Sequence, residues 1–103
     1  MKVMISQPMR GKTNEQIRQE REELVKELEM QGYEVVDTIF ADETPKDSDI
    51  AMYFLSKSIK AMAKVDGIIF MPGWKEARGC KIENKICQDY GKQTMYDIYE
   101  EGE

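Results

Sequence analysis

Gly67-Ile68-Ile69-Phe70-Met71 is the most constraining stretch of this 103-residue chain. It holds no polar side chain and has the length of a strand, so it offers no face to water. Such a strand belongs in a parallel sheet covered on both sides by helices. The rest of the chain has to supply those helices and the neighbouring strands.

It does so in strict alternation. Val3-Met4-Ile5 is a short apolar run ended by Ser6-Gln7-Pro8, where Pro8 stops the ladder. Thr13-Asn14-Glu15-Gln16 has the form of a capping box that opens a helix. Ile17, Leu24, Val25 and Leu28 share one face of it, and Gly32 supplies the stop. Tyr33 to Phe40 has the β-branched content of a second strand. Ala41 to Asp49 reads as a loop, with Asp47, Ser48 or Asp49 as the next N-cap. In the second helix Ala51, Phe54, Leu55, Ser58, Ile59, Met62 and Ala63 follow the helical period and predict an inward stripe. A third helix is expected from about Cys80 to Tyr90, with Ile82, Ile86, Cys87 and Tyr90 inward. Gly91 ends it, and Gln93 to Ile98 forms the last strand.

The string β-α-β-α-β-α-β with short connections specifies an α/β fold. Right-handed crossovers favour the sheet order 2-1-3-4, a flavodoxin-like three-layer sandwich with four parallel strands and helices on both faces. Residues 1–98 then form one domain, and Tyr99 to Glu103 a short acidic tail. In this order the ligand crevice lies between the carboxyl ends of strands one and three. Two loops are thereby expected to face each other there, SQPMRGKT and MPGWKEARG.

Charge and residue usage limit what that crevice holds. With 20 acids against 15 bases the net charge is −5, which argues against a nucleic-acid polymer as partner. One Arg and one helix N-terminus suffice for a single phosphate. No apolar run approaches the length of a membrane span, and the opening MKVMIS reads as a strand rather than a signal peptide. Two cysteines without a disulfide framework fit a reducing cytoplasm. The sequence contains no His, which removes Ser-His and Cys-His dyads and His-ligated zinc sites. Neither a metal nor a cofactor is expected.

The candidate site residues come from the two loops. Glu83, four residues after Gly79, is assigned to the first turn of the third helix, where the backbone dipole favours an ionised carboxylate. It is either a nucleophile at an anomeric carbon or a simple complement to that dipole. Gly79 either admits a phosphate to the helix amides or meets an unusual backbone angle. Arg10 and Gly11 suit a phosphate or carboxylate, the other reading being an Arg paired with an acid of helix one. Ser6 and Pro8 line the same crevice, and Arg78 adds positive charge. Lys12 reads as solvated surface. Trp74 stacks on a base, or lies in the core or a subunit interface. Cys80 sits where a helix start lowers a thiol pKa, but without a His it reads as a packing residue. Asp66 reads as a turn residue.

MISQPMRGKT and KVDGIIFMPGWKEARGCKIENKIC together resemble a family of short phage and bacterial proteins. That family is similar to the nucleoside 2-deoxyribosyltransferases and the deoxynucleoside-monophosphate N-glycosidase. The resemblance implies cleavage of an N-glycosidic bond through a covalent glycosyl-enzyme ester. It makes Glu83 the nucleophile and Arg10-Gly11 the 5′-phosphate site. Two departures accompany it: Ala77 stands where the N-glycosidase has a phosphate-binding Ser, and Ser58 where the enzymes carry an Asp. A hydroxyl does not replace a carboxylate that protonates a leaving base. The enzymes also have a longer C-terminal region that helps complete a neighbouring subunit's site.

Three functions follow as expectations. The first is a cytoplasmic N-glycosidase or deoxyribosyltransferase acting on a nucleoside or nucleotide. The second is a module of the same fold that binds such a ligand without turnover, which Ser58 favours. The third is a phage-encoded adaptor presenting Trp74 and the acidic tail. A homodimer or higher homo-oligomer is expected because four strands leave two open edges.

Overall fold

In the computed structural model, which describes residues 1–36 and 49–97, the apolar run forms the centre of the sheet. Strands β1 (Lys2–Ser6), β2 (Glu34–Val36), β3 (Gly67–Phe70) and β4 (Gln93–Tyr96) are ordered β2-β1-β3-β4, and every pair is parallel. Helices α1 (Asn14–Met30), α2 (Ile50–Met62) and α3 (Arg78–Tyr90) alternate with them. The sheet is the expected four-stranded one, in the expected order. The expected extension of β2 over 37–40, Asp47 and Ser48 as caps, and the 99–103 tail lie outside the described residues.

Alternation along the two central strands makes two cores. Val3, Ile5 and Ile69 pack with Leu24 and Leu28 of α1 on one face. Met4, Ile68 and Phe70 pack with Met62, Val65 and Cys87 on the other. All four residues of β3 are buried, which explains why the run carries no polar side chain. A Cβ on Gly67 would meet Gln93 O and Met95 Cε at 3.1 Å, so the first position of β3 is held to Gly by its neighbour β4.

The helices depart from the sequence reading in ways that matter for function. The stripe of α2 is not a core stripe: only Met62 is buried, Phe54, Leu55 and Ser58 are half-buried, and Ala51, Ile59 and Ala63 are exposed. Helix α3 starts at Arg78, two residues before Cys80, after a 3-10 turn at Trp74–Glu76. Its inward face consists of Cys80, Glu83, Asn84 and Cys87, whereas Ile82 and Tyr90 face solvent. Ile86 packs against the core as expected.

Caps and stops follow local chemistry. Asp49 caps α2 by accepting from Met52 N, and Gly91 ends α3 at φ 74°. Asp66 is a turn residue that accepts from the Lys2 amide at 2.9 Å. Thr13 and Gln16 form the reciprocal box at the start of α1, with bonds of 3.1 and 2.8 Å. Thr13→Ala removes one of them and is expected to cost about 1 kcal/mol. At this chain length that is a fall of roughly 4–8 °C in the unfolding midpoint. A thermal scan checks it, and an unchanged midpoint would mean that water caps the helix equally well.

Candidate active site

The end of β1 and the start of α3 meet over the sheet. Ser6 is the last residue of β1 and lies beside Phe70, the last of β3, and its carbonyl accepts from Met71 N at 3.0 Å. One step further, Pro8 touches Gly73: a Cβ on Gly73 would lie 3.6 Å from Pro8 Cγ, and its φ of 89° already favours Gly. The loops SQPMRGKT and MPGWKEARG are therefore in contact, as the strand order requires.

Between them and α2 lies a cleft of about 730 Å³, a size that suits a small organic ligand. The β1 side contributes Ser6, Gln7, Pro8, Met9 and Arg10. The α3 side contributes Glu76, Ala77, Arg78, Gly79, Cys80, Lys81 and Glu83. Helix α2 supplies Ala51, Phe54, Leu55 and Ser58, and α1 the buried Arg21. The α2 stripe thus serves as a wall of the cleft, which is why its periodicity does not end in burial.

Glu83 lies at the floor. It is 7% exposed, and its Oε1 accepts from Ser6 Oγ at 2.6 Å. Because α3 begins at Arg78, Glu83 belongs to the second turn and not the first, where the dipole acts most strongly. Burial instead dominates and raises its pKa above the ordinary carboxylate value, opposed by hydrogen bonding from Ser6 and Ser58. The expectation of a dipole-stabilised anion is corrected accordingly. Ser58 of α2 is half-buried and lines the same cleft as a neutral hydroxyl. Asp49 is committed to its N-cap bond and does not line the cleft.

Positive charge sits at the rim. Arg10 projects from the turn Met9–Lys12, closed by Lys12 N to Met9 O at 3.2 Å with Gly11 at φ 79°. Among the described residues neither Arg10 nor Arg78 forms an ion pair, and both are exposed. One acid of helix one, Glu20, is taken by Lys12, whose Nζ lies 2.8 Å from it, so Lys12 is not simply solvated. No side chain caps α3, because Ala77 occupies its N-cap, and the amides at Arg78, Gly79 and Cys80 face the loop end unsatisfied by a cap.

The structure brings Ser6, Pro8, Arg10, Arg78, Gly79 and Glu83 into one cleft and leaves Gly11 and Trp74 outside its lining. Trp74 lies instead 5.4 Å from the Phe70 ring and 5.5 Å from that of Tyr96. It is a packing residue, half-buried against the core cluster of Phe70 and Cys87. Burial pushes the Cys80 thiol up to about 11, chiefly by desolvation, so the helix start does not activate it. Cys87 is likewise pushed up to about 11, and both thiols are free and buried. Gln7, Phe54, Leu55 and Glu76 were not singled out by sequence. Phe54 and Leu55 belong to the stripe that the helical period predicts to face inward, and only its position between Ser6 and Pro8 marks Gln7. Among the described residues no group of three or more His, Cys, Asp or Glu is placed to hold a metal ion. Nor, among them, is any helix long and apolar enough to cross a membrane.

A parallel sheet of this order, with a cleft over the ends of β1 and β3 and a hydroxyl-bound carboxylate at its floor, defines an α/β domain with its site at the topological switch point. The chain belongs to the family described as domain of unknown function DUF4406, whose model matches residues 1–96. No curated protein and no solved structure matches the chain.

Proposed function

We propose that the cleft binds a phosphorylated nucleoside and that Glu83 attacks its anomeric carbon. The observation that carries this reading is the buried carboxylate at the floor, held by Ser6 at 2.6 Å, beneath two exposed arginines that form no ion pair among the described residues. Arg10, Arg78 and the uncapped amides of α3 supply donors for one phosphate. Phe54 and Leu55 supply an apolar wall for the base. In the reaction a Glu83 oxygen bonds to the anomeric carbon while the C–N bond breaks toward the base nitrogen, which takes a proton from water. Water then opens the glycosyl ester, returning the carboxylate and releasing the sugar. If a second base takes the place of that water, the same intermediate gives transfer.

Ser58 supports a second reading, in which the cleft holds the ligand without cleaving it. The resemblance implies a carboxylate there, and here a neutral hydroxyl lines the cleft. One experiment separates the two. The protein is incubated with the four 2′-deoxynucleosides and their 5′-monophosphates, and released base is followed by chromatography. The first reading expects release from a monophosphate, with Arg10→Ala raising KM about tenfold or more for the monophosphate and little for the nucleoside. Binding by calorimetry without release would favour the second, and neither binding nor release would dismiss both.

A further inference from the structure

Gln7 is 7% exposed, follows Ser6 directly, and lines the same cleft. Its Nε2 donates to Ile17 O at 2.9 Å and lies 3.5 Å from Glu20 Oε1, both on α1. Those contacts fix the amide's orientation. Turned over, its oxygen would face a carbonyl and a carboxylate, two acceptors with no proton between them. The oxygen therefore points the other way, and among the described residues it is the one buried side-chain polar atom without a hydrogen-bond partner.

An orphan acceptor of this kind destabilises the fold, and buried amides in folded proteins are rarely left so. The contacts with α1 use the nitrogen alone, so the packing of β1 on that helix leaves the oxygen unserved. The residue lies where the cleft crosses the end of β1, one position from the hydroxyl that holds Glu83. Consecutive residues thus differ in what they meet: the Ser6 hydroxyl is spent on the carboxylate, whereas Gln7 lines the cleft with its nitrogen spent on α1 and its buried oxygen unspent.

We infer that Gln7 Oε1 is a ligand acceptor, receiving an N–H or O–H from the bound molecule and selecting ligands that carry a donor at that place. This rests on the nucleotide reading above and adds to it a demand on the ligand: an exocyclic amine on the base or a hydroxyl on the sugar must reach the β1 side of the cleft. A site built to accept such a bond discriminates against an analogue lacking the donor, because the acceptor is then left buried and alone.

Three probes separate the two donors: 2′-deoxyadenosine 5′-monophosphate, its purine analogue without the exocyclic amine, and its 2′,3′-dideoxy analogue without the sugar hydroxyl. Dissociation constants are measured by calorimetry for Gln7, Gln7→Met and Gln7→Leu proteins, all carrying Glu83→Gln so that turnover does not intervene. Circular dichroism confirms that each variant is folded. With Gln7 present, the analogue lacking the relevant donor binds about tenfold more weakly than the parent monophosphate. Both apolar variants lose about the same factor on the parent and nothing further on that analogue, and the analogue on which the loss vanishes names the donor. An equal loss on all three probes, or no loss on any, overturns the assignment while leaving the nucleotide reading in place. Failure of every probe, and of the other three 2′-deoxynucleoside 5′-monophosphates, to bind the Gln7 protein overturns both.

Discussion

Glu83→Gln will abolish base release, by ~10³-fold or more, and will at the same time make the protein harder to unfold at neutral pH. The first effect follows from the proposed nucleophile, since an amide oxygen does not form the glycosyl ester. The second follows from burial. The folded-state pKa of Glu83 is raised above its ordinary value by desolvation, so the folded protein holds a proton on this group at pH values where the unfolded chain has released it. The group's stabilising contribution is thus fully present below the unfolded pKa and lost as pH rises through the folded one. Gln is isosteric, retains an acceptor for Ser6, and carries no charge to desolvate. The midpoint difference between Glu83→Gln and wild type should be small below about pH 4 and should grow to a plateau above the folded pKa. Calorimetric scans between pH 4 and 8 measure it, and a difference independent of pH would refute the buried, proton-holding carboxylate. Base release by wild type should rise over the same interval, because only the anion attacks.

Phe70→Ala is expected to be the most damaging single change to the fold. Phe70 is fully buried, and its ring lies 5.4 Å from Trp74 and 5.7 Å from Tyr96. Truncation leaves a cavity in the cluster that joins β3 to α3 and costs about 3–5 kcal/mol. Against a typical net stability of about 5–15 kcal/mol, that is a large fraction, and the midpoint should fall by at least ~12 °C. Phe70→Leu, which keeps much of the volume, should lose less than half as much. Trp74, the single Trp of the chain, reports both transitions by fluorescence during urea unfolding. A loss below about 1 kcal/mol for the alanine variant would show that the cluster repacks around the gap.

What was legible in the sequence is the sheet and the meeting of its loops. β3 announced itself because it is buried on both faces, and Thr13 with Gln16 marked the start of α1 by side-chain chemistry that acts locally. Met62, Ile86 and Cys87 lie inward as expected, and the rest of the α2 and α3 faces differ from expectation for a common reason. Hydrophobic periodicity treats apolar as inward, and a cleft inverts that rule twice. Phe54 and Leu55 are apolar yet border an open space, whereas Glu83 and Asn84 are polar yet buried, because Ser6 and Tyr96 give them partners. Those partners lie 77 and 12 residues away, beyond any local pattern. Gln7 was marked only by its place between Ser6 and Pro8, because an unmet acceptor is defined by what fails to surround it, and only coordinates report that.

The sidedness of β1 ties the chemistry of the cleft to the length of five residues. Val3 and Ile5 look toward α1 and Met4 away from it, so Ser6 arrives opposite Glu83 and Gln7 opposite Ile17. A slip of this strand by one residue would turn both to the other face, driving the bulky carboxamide of Gln7 into the seat of Ser6 and carrying the small hydroxyl away from the carboxylate. The first strand is thus a ruler as well as a support, and mutagenesis of this segment has to preserve its count even where it is free to change its letters.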